Sequence, residues 1–555
     1  MPIRQLIFLV PRVENKMKIL EFEIKHFRSI ENIQLRFPKG KPLVLFGPNN
    51  AGKTNILASL NVALGEFYPT NREMDDSDYF FRNRENYPNI EFRCKFDETY
   101  YMDRYGRNGT SNIYITYNYD NGFNQENIFH NGNYNKLYVT GAQRAKCQSI
   151  YLDAIRNISN SFSYSSKYTL LSKFSTQIHK SLKQDKKDEL NSLFEKIKEL
   201  FNDSDEFKSF FDRFRSSVSE TVKGFVHTLD VDFSGYDPNN YTKSLRIVGK
   251  EGNIVRSFEE LGTGEQQILL MAFAKAYMET FNNESFILII EEPEAHLHPI
   301  AQRWLKKYIY KMCESGIQVI ISTHSPEFID ASNLEGLVKV FKEQGVTKIK
   351  QLSADELCQC CIALGAPSEK INSSNILPFY SACLFSDQLQ GLFAQTIILV
   401  EGDTESFSLP VYFEHAGVNL EANGIEIVKC QGKNNILKYY RFFTAYGYRC
   451  FCIFDADEGA NRSKKNDEFI SLFDINSIDV GDGNFSYGVS YGYFGKDFES
   501  YMRSNISNYS DLETQAKEFL LTHSKPIIAR YIAKNSDFTP QFIDNILNAL
   551  GLTNV

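Results

Sequence analysis

No stretch of this sequence approaches the roughly twenty consecutive apolar residues that a membrane-spanning helix needs. The N-terminal MPIRQLIFLVPRVENK has an apolar run of only about five residues, shorter than a secretory core. Together these absences lead to the expectation of a soluble, cytoplasmic protein with no membrane contact. Met17, just before the strand pattern KILEFEIKHFRSI, is a candidate start. Positive charge is not in excess either: 61 Lys and Arg against 69 Asp and Glu leave a formal net charge of -8. Any contact with nucleic acid must therefore come from local Lys/Arg patches or from metal ions bridging to phosphate. The ten cysteines lack the regular spacing of a disulfide framework, as expected of a reduced protein. Cys358 and Cys361 make a CxxC, but Cys450 and Cys452, the nearest partner pair, have the wrong spacing for a four-cysteine zinc site. Buried core thiols are the simpler reading. Internal repeats and low-complexity linkers are missing as well.

A chain of 555 residues with 42% hydrophobic and 23% charged residues is an ordinary globular composition, too long for one core; two to four domains are expected. From Lys18 the pattern runs strand, turn, strand, then KPLVLF, a compact apolar strand entering a Gly-rich loop and the helical TNILASLNVALGEF. That opens an α/β nucleotide-binding domain. Between about residues 160 and 225, SLKQDKKDELNSLFEKIKELF and DEFKSFFDRFRSSVSETV place apolar residues at three- and four-residue intervals, as amphipathic helices do. Their charges are read as a solvated face, and the apolar face suits pairing with a second subunit.

GPNNAGKT, Gly47 to Thr54, satisfies GxxxxGK[ST] between a strand and a helix. Gly47, Asn50 and Gly52 shape a loop whose backbone N–H groups turn toward phosphate oxygens, Lys53 neutralises phosphate charge, and the Thr54 hydroxyl can hold Mg²⁺. FILIIEEPEAHLHP supplies the acidic strand end such a loop requires. Glu291 is assigned to the Mg²⁺ shell and Glu292 to polarising the attacking water. His296 and His298 are better read as part of a turn contacting a neighbouring subunit than as metal ligands. LGTGEQQ puts Thr263 and Gly264 at a helix start, where free N–H groups meet an anion. VIISTHSPEF puts His324 at another strand end, suited to sensing a terminal phosphate.

In this order the motifs resemble the ABC-type ATPases of the RecF/SMC kind, in which two heads close face to face over ATP. Two departures stand out: Gly262 replaces the usual signature serine, and no glutamine falls between Gln34 and Gln125, where a Q-loop residue belongs. EMDDSDYF, Glu73 to Phe80, is a candidate acidic substitute, and hydrolysis is expected to be slow or tightly regulated.

A second α/β unit begins at Gln395: TIILVEGDTES, a possible helix SFSLPVYFEHAGV, GIEIVKC, NILKYYRFFTAYG and RCFCIFDAD. Parallel strands would bring Glu401 beside Asp455 and Asp457, with the i and i+2 carboxylates pointing the same way. Such a cluster repels itself unless a hard divalent cation neutralises it. It resembles a Toprim domain, with Glu401-Gly402, the Gly432 turn and the DAD motif in place. A Toprim unit behind a RecF-like ATPase, with YLDAIRN between, resembles the OLD (overcoming lysogenisation defect) nuclease family and the nuclease subunits of Gabija-type anti-phage systems.

The resemblance implies ATP binding and hydrolysis and Mg²⁺- or Mn²⁺-dependent cleavage of DNA, in defence against foreign DNA. It implies a homodimer or homotetramer, with a helicase-like protein as a further partner. Asp403, Glu405 and Glu499 are carried over as additional metal ligands and Lys525 as a stabiliser of charge at phosphorus. The fold expected is α/β: an ABC-type P-loop ATPase with an inserted helical dimerisation segment, then a Toprim domain with a helical C-terminus. Its boundaries are 1–16 extension, 17–159 first ATPase part, 160–245 helical insert, 246–353 second ATPase part, 354–393 helical linker and 394–555 Toprim. The alternatives are a DNA-clamping repair ATPase without nuclease activity and, more remotely, topoisomerase or primase chemistry, for which the C-terminal hundred residues look too short and too helical.

Overall fold

A computed structural model describes residues 17–65, 74–102, 109–128, 134–136, 146–152, 170–205, 208–209, 212, 248–251, 254–257, 260–280, 285–457, 460–479, 481, 483–536 and 540–552. The expected extension 1–16, Glu73, most of the segment 203–247 and Asp153 to Asn157 of YLDAIRN lie outside these. The chain divides into two compact units. One comprises residues 1–149, 287–294 and 298–555; the other comprises residues 150–286 and 295–297.

Among the described residues the larger unit carries three large sheets and a two-stranded one, Tyr101–Met102 with Gly109–Thr110. In the first, Ile30–Arg36, Ile19–Phe27, Asn89–Phe96, Asn112–Asn118, Gly122–Ile128 and Tyr134–Lys136 pair antiparallel in that order. Their residues alternate between core and solvent, as one-sided burial demands. In the second, Ser285–Glu291, Gln318–Thr323, Leu43–Phe46 and Leu337–Glu343 run parallel, and Val346–Gln351 returns antiparallel. Leu43–Phe46 is buried at every position, the mark of a central parallel strand covered on both faces. The third sheet orders Ile425–Lys429, Thr396–Val400, Arg449–Asp455 and Tyr491–Phe494 in parallel, with Phe485–Tyr487 antiparallel at the edge. Helices Asp403–His415, Lys525–Asn535 and Gln541–Leu550 pack on it around Phe542, Phe494 and Phe413.

The second and third sheets meet along an aromatic seam. Phe46, the last residue of the central strand, packs against Phe393 and Tyr446, with ring centroids 6.0 and 6.4 Å away. Lys339 reaches across from Leu337–Glu343 to the Tyr446 and Gly447 carbonyls at 3.3 and 3.4 Å and lies 3.3 Å from the centre of the Tyr448 ring. The Tyr446 hydroxyl donates to the Leu334 carbonyl at 3.3 Å. All ten cysteines are free, and Cys358, Cys361, Cys450 and Cys452 are buried. Among the described residues no helix is long and apolar enough to cross a membrane.

In the smaller unit, helices Leu170–Ser181, Gln184–Asn202 and Thr263–Thr280 accompany the hairpin of Val248–Glu251 with Ile254–Ser257. Phe174 stacks edge-on against Phe273 at 5.4 Å.

Candidate functional site

The P-loop follows directly from Phe46 and feeds helix Lys53–Leu64. Its two outer glycines are required by space. A Cβ on Gly47 would overlap the Val340 carbonyl, and one on Gly52 would overlap the Thr347 hydroxyl, with φ at 141° and 108° respectively. Both are backbone conformations that favour glycine. Asn50 also has a positive φ, 61°, and its side-chain carbonyl accepts from Lys342 at 3.3 Å. Lys53 is buried and donates to the Gly47 and Pro48 carbonyls, both at 2.9 Å. Burial lowers its pKa to about 8 against the opposing pull of Glu292, Glu294 and Glu291. The Thr54 hydroxyl donates to the Glu291 carboxylate, so the two groups assigned to Mg²⁺ stand together.

Glu292 adopts a positive φ of 45°, which turns it out of the strand; its carboxylate lies 3.8 Å from His324 Nε2. Burial, then Lys53, lowers the His324 pKa, so the imidazole is neutral at physiological pH. A 170 Å³ cavity is bounded by residues 49–55, Glu292, Ser322 and His324. The sequence reading left out Glu294, whose carboxylate accepts the His324 backbone N–H at 2.6 Å and whose pKa is raised by burial. The written signal was the third acid of EEPE. His298, read as part of a subunit-contact turn, caps helix Pro299–Glu314 by accepting from the Ala301 N–H at 3.4 Å. Asp78 of the proposed acidic substitute is buried and paired with Arg28 at 3.1 Å; Arg28 in turn donates to Asn55, next to Thr54, at 3.3 Å. In the smaller unit, Thr263 and Gly264 open helix Thr263–Thr280, and a Cβ on Gly264 would come within 3.1 Å of the His296 carbonyl.

At the C-terminal edge of the third sheet, Glu401 follows Thr396–Val400 and its carboxylate accepts the Asp455 N–H at 2.9 Å. Asp455 ends Arg449–Asp455 and accepts the Phe498 N–H at 3.1 Å. Burial raises both acids and like charge adds to it: Glu401, beside Glu405 and Asp457, to about 7, and Asp455, beside Glu401 and Glu405, well above the carboxylate range. Glu405, also raised by burial, accepts the Gly402 N–H at 3.1 Å, and Glu499 comes to 3.5 Å from the Thr404 hydroxyl. Glu405, Glu499 and Asp457 all act electrostatically on Asp455.

Three local readings change. The helix starts at Asp403, not at Ser406, because Asp403 and Glu405 are favoured in a first turn by the helix dipole and Glu405 caps Gly402. Asp403 is exposed and paired with Lys429 at 2.6 Å. The strand ends at Asp455, so the i, i+2 argument does not place Asp457; a positive φ of 53° and a bond from its N–H to the Lys496 carbonyl do. Lys525 is exposed at the start of Lys525–Asn535, and no ion pair joins it to the carboxylates.

The lysine beside them is Lys433, one residue beyond the Gly432 turn. It is buried, donates to the Asp455 carbonyl and, at 2.6 Å, to Asn466, and lies 3.6 Å from Asp457. Among the described residues no three His, Cys, Asp or Glu side chains stand in a ready-made metal cage. The donor set nevertheless fits a hard divalent cation: clustered carboxylates with raised pKa values and a single buried ammonium against them.

Similarity to known proteins follows the same division. Residues 133–329 match the family described as an AAA ATPase domain and residues 21–224 an AAA domain. Residues 392–457 match the overcoming lysogenization defect protein-like TOPRIM domain. An OLD nuclease of Thermus scotoductus is 26% identical over 431 residues, 75% of this chain and 77% of the relative. The Old nuclease of Escherichia phage P2 is 28% identical over 211 residues, 37% of this chain and 34% of the relative. An SMC head crystallised with the C-winged helix domain of ScpA aligns with a TM-score of 0.38 at 21% identity, covering 60% of this chain and 98% of that one.

Proposed function

Since the chain belongs to the OLD nuclease family, an AAA-type ATPase followed by a Toprim domain, we propose that it is an ATP-regulated, divalent-metal-dependent DNA endonuclease or nickase. The observation that carries this reading is the gathering of Glu401, Asp455 and Asp457 around Lys433 at one sheet edge, with Glu405 and Glu499 close enough to act on Asp455. Glu401, Asp455 and Asp457 are the residues that would hold Mg²⁺ or Mn²⁺, with Asp403, Glu405 and Glu499 as further ligands; a bound ion supplies charge neutralisation and an activated water. Lys433 sets an amine donor beside the Asp455 backbone, where a phosphate oxygen would meet it. Lys525 is exposed, and we assign that role to Lys433, which touches Asp455 and Asp457.

In the ATPase, Lys53 and the loop N–H groups would hold phosphate, Thr54 and Glu291 would hold Mg²⁺, Glu292 would orient water, and His324 would sense the terminal phosphate. Thr263 and Gly264, at a helix start, would serve a partner's nucleotide in the homodimer or homotetramer that the family resemblance implies. Action against foreign DNA, with or without a helicase-like protein, rests on the family resemblance. Plasmid incubated with Mg²⁺ or Mn²⁺, with and without ATP, tests the proposal: nicked or linear product is expected. Intact plasmid from protein that still binds nucleotide would leave a DNA-clamping ATPase as the surviving reading.

A further inference from the structure

Beside the acidic edge lies a cavity of about 710 Å³ that none of the motifs accounts for. One wall is helix Lys433–Ala445, which presents Asn434, Leu437, Lys438 and Arg441 at helical spacing; the opposite wall includes Lys370, Ile376 and Phe379. Lys433, whose ammonium meets Asp455 and Asp457, lines it too, so the cavity and the carboxylate cluster share a side chain. Among the described residues that line it, four are cationic and one, Glu468, is a carboxylate. Arg441 is pinned by the Leu364 and Gly365 carbonyls, both at 3.0 Å, while Lys370 is exposed at the mouth. Phe379 is 37% exposed, and Lys438 Nζ stands 5.7 Å from its ring centre.

This chemistry selects among ligands. The aromatic and aliphatic walls are more than a bare phosphate or a metal ion uses, and the four cations are more than an apolar ligand tolerates. A flat aromatic group carrying negative charge satisfies both, and a nucleotide is such a group. We infer that the cavity takes one unstacked nucleotide of the DNA strand lying on the acidic edge, its base against Phe379 and its phosphates among Lys370, Lys433 and Lys438. The inference rests on the nuclease reading for the identity of the strand. A DNA strand is favoured over a free mononucleotide because Lys433 joins the cavity to the site where the phosphodiester would be cut. An enzyme that draws one base out of the stack would prefer mismatched, frayed or single-stranded DNA, where unstacking costs least.

The experiment measures binding, not cleavage. Fluorescent single-stranded oligonucleotides, identical except for one abasic site moved stepwise along the strand, are titrated with wild-type protein and with Phe379→Ala and Lys438→Ala in Ca²⁺. Melting temperature verifies that each variant is folded. Wild type should show one position at which loss of the base weakens binding by roughly five- to 150-fold, the range for loss of a stacked base. Phe379→Ala should lose that position dependence, and Lys438→Ala should weaken binding at every position. A flat wild-type profile, an unchanged profile in Phe379→Ala, or no binding of the strand at all would overturn the inference. So would a deoxynucleoside monophosphate that binds through Phe379 while the abasic profile stays flat, since the source would then be free nucleotide. The two readings fail separately: a positioned profile with uncut plasmid removes the nuclease and keeps the cavity, and cut plasmid with a flat profile does the reverse.

Discussion

The P-loop and the acidic edge both sit where a parallel strand ends and a helix begins, yet they handle charge in opposite ways. The P-loop is internally settled: Lys53 is satisfied by two carbonyls, Thr54 by Glu291, and the glycines fit against Val340 and Thr347. The acidic edge is not, since burial and like charge push Glu401 and Asp455 toward their neutral forms. One site is preorganised by its backbone; the other waits for a counter-charge. Two elements with the same topology thus divide into a holder of anions and a holder of cations, according to whether N–H groups or carboxylates line the strand end.

The largest expected effect comes from breaking the acidic side alone. Asp455→Asn or Glu401→Gln should lower DNA cleavage by roughly two orders of magnitude or more, as loss of groups acting in the transition state does, while ATP hydrolysis persists. Parallel loss of both activities would mean that the two sites are not separable. Breaking the other side, Lys53→Ala should weaken nucleotide binding by at least about tenfold through loss of a charge-assisted contact to phosphate. Plasmid cleavage measured without ATP should then match wild type, and a matching fall would show that the P-loop also supports the carboxylate edge.

A smaller effect is expected from Gly52→Ala, which forces a side chain onto a positive φ and into Thr347. Denaturant unfolding should show a loss of about 1–3 kcal/mol, and no loss would mean the loop relaxes more readily than its packing implies. The smallest concerns the seam. Burial lowers the Lys339 pKa from 10.5 to about 8. Between these values the unfolded chain holds a proton that the folded chain has lost, so this group adds stability as pH rises through that window; below it the cost of the buried charge is present in full. Lys339→Met should therefore melt about 1–2 °C above wild type near pH 7. The gap should shrink toward pH 10.5, and an equal gap at both ends would assign it to packing.

How much of this could be read in advance depended on contiguity. The P-loop is eight consecutive residues, so its spacing and context named Lys53 and Thr54 directly. Glu401, Asp455 and Asp457 were legible because strand ends in a parallel sheet share an edge, although Asp457 reaches it through a turn that alternation does not foresee. Lys433 was hidden: a lysine in an Asn-rich turn looks solvated, and only folding shows it buried between Asp455, Asp457 and Asn466. Lys525 came from the family resemblance alone, and nothing in its sequence showed that it would face solvent. The cavity was invisible, because its two walls come from segments about sixty residues apart and neither carries a motif.

The seam has a practical consequence for anyone dissecting the chain. A cut near residue 394 separates the recognisable motifs neatly, but it leaves Tyr446 and Tyr448 uncovered on one fragment and Phe46 and a protonated Lys339 on the other. Each piece would keep its signature and lose a wall of its interior. The smallest fragment worth expressing to study either activity includes both sheets.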